Sequence, residues 1–277
     1  MKTMTDPYKL PDGNVQISFS GGRTSAFMLH QILEANGDLP DRCQVTFANT
    51  GREMQQTLDF VHECSQRWGV EVVWLEFDRA DGKASYKRTS YEDASFLGEP
   101  FELLLQRKRY LPNVVSRFCT ADLKIRPMKR YLVNELGWKR WSACVGIRAD
   151  ESRRINYNSK DRWAYWYPLH DAGVTKRDIA DFWAKQSFDL QLFNANGQTP
   201  KGNCDFCFLK SEATLATMAR EHPDRAAWWI RMEEMTGGTF RKGRSLVEFV
   251  DFVQRQHDWV FDDQSFFCQA DDGECTG

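Results

Sequence analysis

No segment of this 277-residue sequence is apolar for long enough to cross a bilayer, and residues 1–14 lack the apolar core of an export signal. Charge of one sign is also scarce. Lys and Arg number 37 against 39 Asp and Glu, a net of −2, so no global field points to nucleic acid or to a membrane surface. Histidine is sparse at five, and His170 and His222 read as surface or capping residues rather than ligands. There is no internal repeat, heptad or low-complexity tract. The expectation is a cytoplasmic protein with no membrane contact.

Cysteine and aromatic residues are plentiful. Ten Trp and nineteen Phe in a chain that is 42% hydrophobic supply an aromatic core. Eight cysteines without an export signal argue against a disulfide framework. Cys43, Cys64 and Cys144 lie inside apolar patterns and read as buried packing residues. Cys119, Cys204, Cys207, Cys268 and Cys275 lie beside turn residues, where chemistry is the better reading.

The periodicity alternates between strand and helix. Residues 15–20 (VQISFS), 44–48 and 70–77 (VEVVWLEF) read as strands; 25–36 and Gln55–Trp68 read as helices closed by Gly37 and Gly69. Such alternation predicts right-handed βαβ units. The fold class is therefore α/β: an open, mostly parallel twisted sheet flanked by helices. Residues 79–100 read as a polar excursion, 101–110 and 127–136 as helices, and 142–147 as a further strand. Thr175 and Asp178 form an imperfect capping box opening a helix over 175–185. Beyond a loop at 194–203 the pattern is helical, over 211–221, 224–235 and 245–257, with an acidic tail from 258. A boundary near residue 195 would separate a nucleotide-binding part, 1–195, from a C-terminal part, 196–277.

Two loops point to a nucleotide. Ser20-Gly21-Gly22-Arg23-Thr24-Ser25 joins a strand to a helix N-terminus, whose open N–H groups and dipole seat phosphate. It is neither a G-x-G-x-x-G fingerprint nor a Walker loop. Asn49-Thr50-Gly51-Arg52-Glu53 ends the second strand, so both loops face one crevice at the strands' carboxyl ends. A third constellation, Cys204-x-x-Cys207, has spacing that suits zinc, iron–sulfur or redox chemistry.

Ser20–Ser25 resembles the PP-loop, S-G-G-x-x-S, of the ATP pyrophosphatase (adenine nucleotide alpha hydrolase-like) and phosphoadenylyl-sulfate (PAPS) reductase superfamily. Three further segments resemble the reductase branch, in order. Cys119-Thr120-Ala121-Asp122-Leu123-Lys124-Ile125-Arg126-Pro127 is similar to C-C-x-x-R-K-V-x-P. Gly146-Ile147-Arg148-Ala149-Asp150-Glu151-Ser152-Arg153-Arg154 is similar to G-x-R-x-x-E/Q-S-x-x-R. Pro200-Lys201-Gly202-Asn203-Cys204-Asp205-Phe206-Cys207 is similar to P-x-x-G-C-x-x-C.

The resemblance implies that Ser20, Gly21, Gly22, Arg23, Thr24 and Ser25 hold the nucleotide phosphates, with Asn49 and Gly51 beside the adenosine. Lys124, Arg148 and Arg154 would face anionic groups of the substrate, which is either ATP with Mg or PAPS. It also implies a 4Fe-4S cluster on Cys119, Cys204 and Cys207, with zinc as the plainer occupant. Thr120 stands where the branch has a second cysteine, so either Cys268 completes the set or one iron stays open. Glu274-Cys275 resembles the start of the reductases' terminal E-C-G-L-H, making Cys275 the candidate nucleophile, although Leu-His is absent.

The first functional reading is therefore a PAPS reductase-type oxidoreductase using a thiol reductant. The second is an ATP-dependent sulfurtransferase that draws on a sulfur donor and thiolates a nucleic acid or related acceptor. Reductases generally carry S-F-G loops, and the Gly21-Gly22 pair looks like the ATP-splitting form. A third reading is a nucleotide or redox sensor. A homo-oligomer is the expected assembly, which the residues do not specify.

Overall fold

The computed structural model describes residues 6–194 and 197–255. The chain opens with β1 (Val15–Ser18), α1 (Arg23–Asn36), β2 (Cys43–Asn49), α2 (Gln55–Trp68) and β3 (Val72–Ala80). Val15 and Ile17 of β1 are fully buried and Val45 and Phe47 of β2 nearly so, as strands covered on both faces by helices require. Gly69, at φ 59, stops α2 in the left-handed conformation glycine favours.

The chain continues through β4 (Lys83–Thr89), α3 (Glu99–Lys108), a π-helical turn (Thr120–Ile125) and α4 (Arg126–Asn134). Then come β5 (Trp141–Cys144), a 3-10 turn (Ala149–Arg154), β6 (Trp163–Trp166), α5 (Pro168–Asp171) and α6 (Lys176–Trp183). Three helices follow: α7 (Glu212–Glu221), α8 (Pro223–Thr236) and α9 (Leu246–Arg255). The sheet order is β4-β3-β2-β1-β5-β6, parallel except for β4, which runs antiparallel to β3 at one edge. This is the open α/β architecture that the strand–helix alternation predicts.

The excursion at 79–100 is in part a hairpin. Asp81 (φ 50) and Gly82 (φ 74) make the tight turn that pairs Ala80 with Lys83, and β4 stays polar because it is an exposed edge. Strand β6 was not expected either. Its four residues, Trp-Ala-Tyr-Trp, are half-buried or exposed, and the run is too short to show a strand period. At α6, Asp178 accepts from the Thr175 backbone at 2.7 Å and from its hydroxyl at 2.6 Å, so the capping signal is used.

The largest buried apolar cluster among the described residues runs from the sheet into the C-terminal helices. Phe101 of α3 packs edge-on against Trp229 of α8 at 5.4 Å, and Trp229 packs in turn on Phe240 at 4.7 Å. Strand β1 is central, with β2 and β3 to one side and β5 and β6 to the other. The chain therefore reverses direction across β1, and the carboxyl ends of β1, β2 and β5 open on one crevice.

Candidate nucleotide and cysteine site

The loop after β1 is closed by its own hydroxyls. Ser20 donates its backbone N–H to Ser25 Oγ at 3.2 Å, the two hydroxyls pair at 2.8 Å, and Ser25 Oγ donates to Gly22 O at 3.0 Å. The first turn of α1 has neither a side-chain cap nor an acidic residue, so its N–H groups are left for an anion. The left-handed residue is Gly21, at φ 80, and a Cβ there would stand 2.7 Å from Thr57 Cγ2. Gly22 is extended, at φ −95 and ψ 162. Its lack of a side chain therefore serves close approach rather than an unusual dihedral.

Arg23 faces away from the loop. Its guanidinium is buried and grips Asp189 through two 2.7 Å bonds, Thr199 Oγ1 at 2.9 Å and the Leu192 carbonyl at 2.9 Å. The side chain ties Asp189, Leu192 and Thr199 to α1, and only the Arg23 backbone remains at the loop. Asn49 is also an internal brace. Its Nδ2 donates to Glu76 Oε1 at 2.6 Å and to Ser95 O at 2.8 Å, while its Oδ1 accepts from Gly51 N at 3.0 Å. Gly51, at φ 76, lets the chain pass Gly98 and Pro100, which a Cβ would meet at 3.1 and 2.9 Å.

Arg148 reaches the loop. It is 3% exposed and donates from Nη1 to Thr24 Oγ1 at 3.2 Å, while Asp150 at 3.0 Å and Glu151 at 3.4 Å hold the guanidinium in place. Arg154 pairs with the other oxygen of Glu151 and so stands behind Arg148. Lys124, on the π-helical turn, lies 4.0 Å from Glu53 Oε1. The sequence reading passed over Glu53. It is 2% exposed, and its Oε2 accepts from the Thr50 N–H at 2.9 Å and the Thr50 hydroxyl at 2.8 Å. Its Oε1 has no hydrogen-bond partner. Polar strand-end loops commonly carry an acid, so nothing in the sequence singles Glu53 out.

Cys204 sits beside this group, its thiol 3.4 Å from Thr50 Oγ1. Burial and then the Glu53 carboxylate push the Cys204 thiol well above its ordinary pKa, with Lys124 pulling the other way. Cys207 also acts on Cys204 electrostatically, so the C-x-x-C loop brings its two thiols together. Cys119, half-buried, heads the π-helical turn that carries Lys124. Among the described residues no three His, Cys, Asp or Glu side chains converge on a single metal ion. Cys268 and Cys275 lie outside the described residues. Cys43, Cys64 and Cys144 are buried, and burial pushes the Cys43 thiol up to about 12.

An open cleft adjoins the loop on the α4 face of the sheet. Ser20, Ser18 and Ala48 form its floor, Lys124 and Met128 one wall, and Trp163 and Tyr165 the other. Ser20 also lines the small cavity beside Gly21, Gly22 and Thr24, so it borders both spaces.

Several known proteins are similar to this chain. The uncharacterized nin region protein ORF290 of Escherichia phage lambda is 29% identical over 233 residues, 82% of this chain and 76% of that protein. An uncharacterized protein of Methanocaldococcus jannaschii is 26% identical over 151 residues, 54% of this chain and 28% of its own length. Among solved structures, the PAPS reductase of Candida auris, a phosphate complex, overlays with a TM-score of 0.41 at 16% identity. That overlay covers 64% of this chain and 74% of the reductase. The U34-tRNA thiolase NcsA of Methanococcus maripaludis, with its 4Fe-4S cluster, overlays at 0.42 and 12% identity, covering 95% and 79%. A family model matches residues 14–165, a span that holds the PP-loop, the Asn49 loop, Lys124 and Arg148 together. That span is more than half the chain, and by it the chain belongs to the phosphoadenosine phosphosulfate reductase domain family.

Proposed function

We propose that this protein is an enzyme that binds an adenine nucleotide at the β1 crevice and uses it in sulfur chemistry. The base would occupy the cleft between Met128 and Tyr165, and the phosphates the N-terminus of α1. The observation that carries this is the Arg148–Thr24 contact at 3.2 Å, which sets a buried guanidinium beside an uncapped helix N-terminus. Two anion-attracting devices thus meet at one point.

In the first reading the nucleotide is PAPS. Arg148 and Lys124 neutralise the phosphosulfate, and a cysteine thiolate attacks its sulfur, breaking the bond to the phosphate oxygen and expelling the adenosine bisphosphate. A thiol reductant then displaces sulfite from the S-sulfocysteine and is itself oxidised to a disulfide. The nucleophile in that reading is Cys275. The second reading, ATP-dependent sulfur transfer, is favoured by Gly21. A reductase-type S-F-G loop needs a side chain at position 21, and here Thr57 leaves none room at 2.7 Å.

The cysteines bear on the cofactor. Donors that converge on one ion are absent among the described residues, while a cubane cluster spreads its thiolates over several irons. The donor set, three thiols on two neighbouring segments, suits the cluster better than a single zinc ion. Cys119, Cys204 and Cys207 would hold it, and it would supply sulfur-ligating iron. Thr50 touches Cys204, and Glu53, Lys124 and Cys207 act on it electrostatically.

Calorimetry with ATP and with PAPS on anaerobically prepared protein tests the core of the proposal. Binding of neither nucleotide overturns it. Sulfite release from PAPS with a thiol reductant supports the first reading, and AMP with pyrophosphate released from ATP in the presence of a sulfur donor and a nucleic-acid acceptor supports the second.

A further inference from the structure

Residues 106–130 carry eight Lys or Arg and a single acid, Asp122, in a chain whose net charge is −2. Folding gathers these cations instead of dispersing them. Asp122 is 1% exposed and is shared by Lys108 at 3.0 Å, from the end of α3, and by Arg126, from the start of α4. Arg130 lies one turn beyond Arg126 on the same helix face. Both Arg126 and Arg107 act on it electrostatically, and its Nη1 is buried without a hydrogen-bond partner. Arg107 and Arg109 are exposed, and so is Tyr110, at 48%.

Arg109 adds an independent sign. It closes α3 in the left-handed conformation at φ 61, a position that glycine fills at no cost. A long cation is held there against backbone preference. The opposite side of the same π-helix and α4 lines the cleft through Lys124, Met128 and Lys129, facing Trp163 and Tyr165. A cationic surface thus leads into an aromatic-walled cleft that ends at Ser20.

We propose that the end of α3, the 109–118 segment and the outer face of α4 form a docking surface for single-stranded nucleic acid. The cations would take its phosphates, and the exposed Tyr110 ring among them would receive an unstacked base, leaving the cleft to the adenine. The proposal rests on the second reading above, in which the acceptor is a nucleic acid. Five of the eight cations are arginines, whose planar forks match phosphate oxygens. Aromatic faces beside a cationic track are the general means of holding single strands. Val114 and Val115 are exposed at the tip, but two side chains on a non-helical loop are too little apolar surface to seat in a bilayer.

The test uses the full chain and a fluorescein-labelled mixed-sequence RNA of about 20 nucleotides, with anisotropy read between about 50 and about 200 mM salt. Wild-type protein is expected to bind with a steep salt dependence. Arg107→Ser/Arg126→Ser should weaken binding about tenfold and lower the log–log salt slope by about two, while ATP affinity stays unchanged. Arg109→Gly should raise Tm and still weaken RNA binding; a residue kept for capping alone would raise Tm and leave RNA binding intact. Equal RNA affinity in the double variant, or no binding at low salt, overturns the proposal. So does equal binding to polyglutamate or to phosphatidylserine vesicles, which would assign the surface to an acidic protein or a membrane. Failure of ATP to bind would fall on the nucleotide reading alone.

Discussion

Asp205, one of the two residues between Cys204 and Cys207, is bound to Arg52 of the loop after β2 through both backbone and side chain. Its N–H donates to the Arg52 carbonyl at 2.9 Å, and its fully buried carboxylate receives the Arg52 guanidinium. Arg225 and the Trp229 indole, the latter at 2.6 Å, reach the same carboxylate from α8. Arg52 also lies 4.7 Å over the Trp228 ring. The C-x-x-C loop, the Asn49–Glu53 loop and the C-terminal helices are therefore fastened at one point, and the position of Cys204 depends on it.

Asp205→Ala should cost about 3–5 kcal/mol in denaturant unfolding, because it strands two guanidinium groups in the interior. An exposed carboxylate such as Asp181 should cost under about 0.5 kcal/mol when replaced. Comparable losses at the two positions would show that the knot adds nothing to stability.

Gly21→Ala and Gly22→Ala should separate fold from binding. At Gly21 the left-handed φ and the 2.7 Å approach to Thr57 are expected to cost about 2–4 kcal/mol in stability. At Gly22 the backbone is extended and accepts alanine, so the expected loss is in nucleotide affinity with Tm nearly unchanged. Thr57→Ser should recover part of the Gly21→Ala loss, since it removes the clashing methyl but not the strained φ. Thermal unfolding and ATP calorimetry on the set distinguish the two glycines.

Arg148→Lys keeps the charge and loses the fork. Arg148 bonds Thr24 through Nη1 and Asp150 through Nε, an arrangement an ammonium cannot reproduce. Nucleotide affinity should fall about tenfold or more, the worth of one charge-assisted hydrogen bond. Wild-type affinity in Arg148→Lys would make the residue a brace for the 149–154 turn.

These contrasts show which parts of the molecule the sequence disclosed. The βαβ alternation and Gln55–Trp68 were legible because buried parallel strands and an amphipathic helix write their periods directly. The β4 edge strand was not, since an exposed strand has no apolar face to write, although Asp81-Gly82 marked its turn. The four motifs named candidate residues, but not which way each side chain points. Arg23 turns to Asp189 and Asn49 to Glu76, because buried polar groups take the partners that tertiary packing offers. Glu53 and Asp205 acquire meaning only when distant segments meet.

The core thiols predict an alkaline limit. Burial lifts Cys43 from an ordinary value of about 9 to about 12, and lifts Cys64 and Cys144 as well. Between those values the folded chain holds protons that the unfolded chain has lost, so stability is full below about pH 9 and falls as pH rises toward 12. Each thiol adds a slope of up to about 1.4 kcal/mol per pH unit. Urea unfolding across this range should show a shallower decline in Cys144→Ala than in wild type. Identical slopes would mean that the thiol ionises as readily folded as unfolded.

The turn-associated cysteines can be separated from the core thiols by metal content. In anaerobically prepared protein, replacing Cys119, Cys204 or Cys207 by Ala is expected to remove iron, inorganic sulfide and the broad visible absorbance together. Cys204 and Cys207 share a loop fixed by Asp205, and Cys119 heads the turn whose Lys124 acts on Cys204. Cys64→Ala and Cys144→Ala should leave all three signals intact, because those thiols are fully buried in apolar packing. Asp205→Asn should lower iron occupancy without removing a donor, by loosening the loop that carries two of them. Cys268→Ala and Cys275→Ala then divide the functional readings. Loss of iron in either makes the tail a source of the fourth ligand, whereas intact iron with abolished sulfite release in Cys275→Ala supports a thiol nucleophile. Zinc in place of iron, lost in the same three variants, would reject the cluster and assign these cysteines to a structural site.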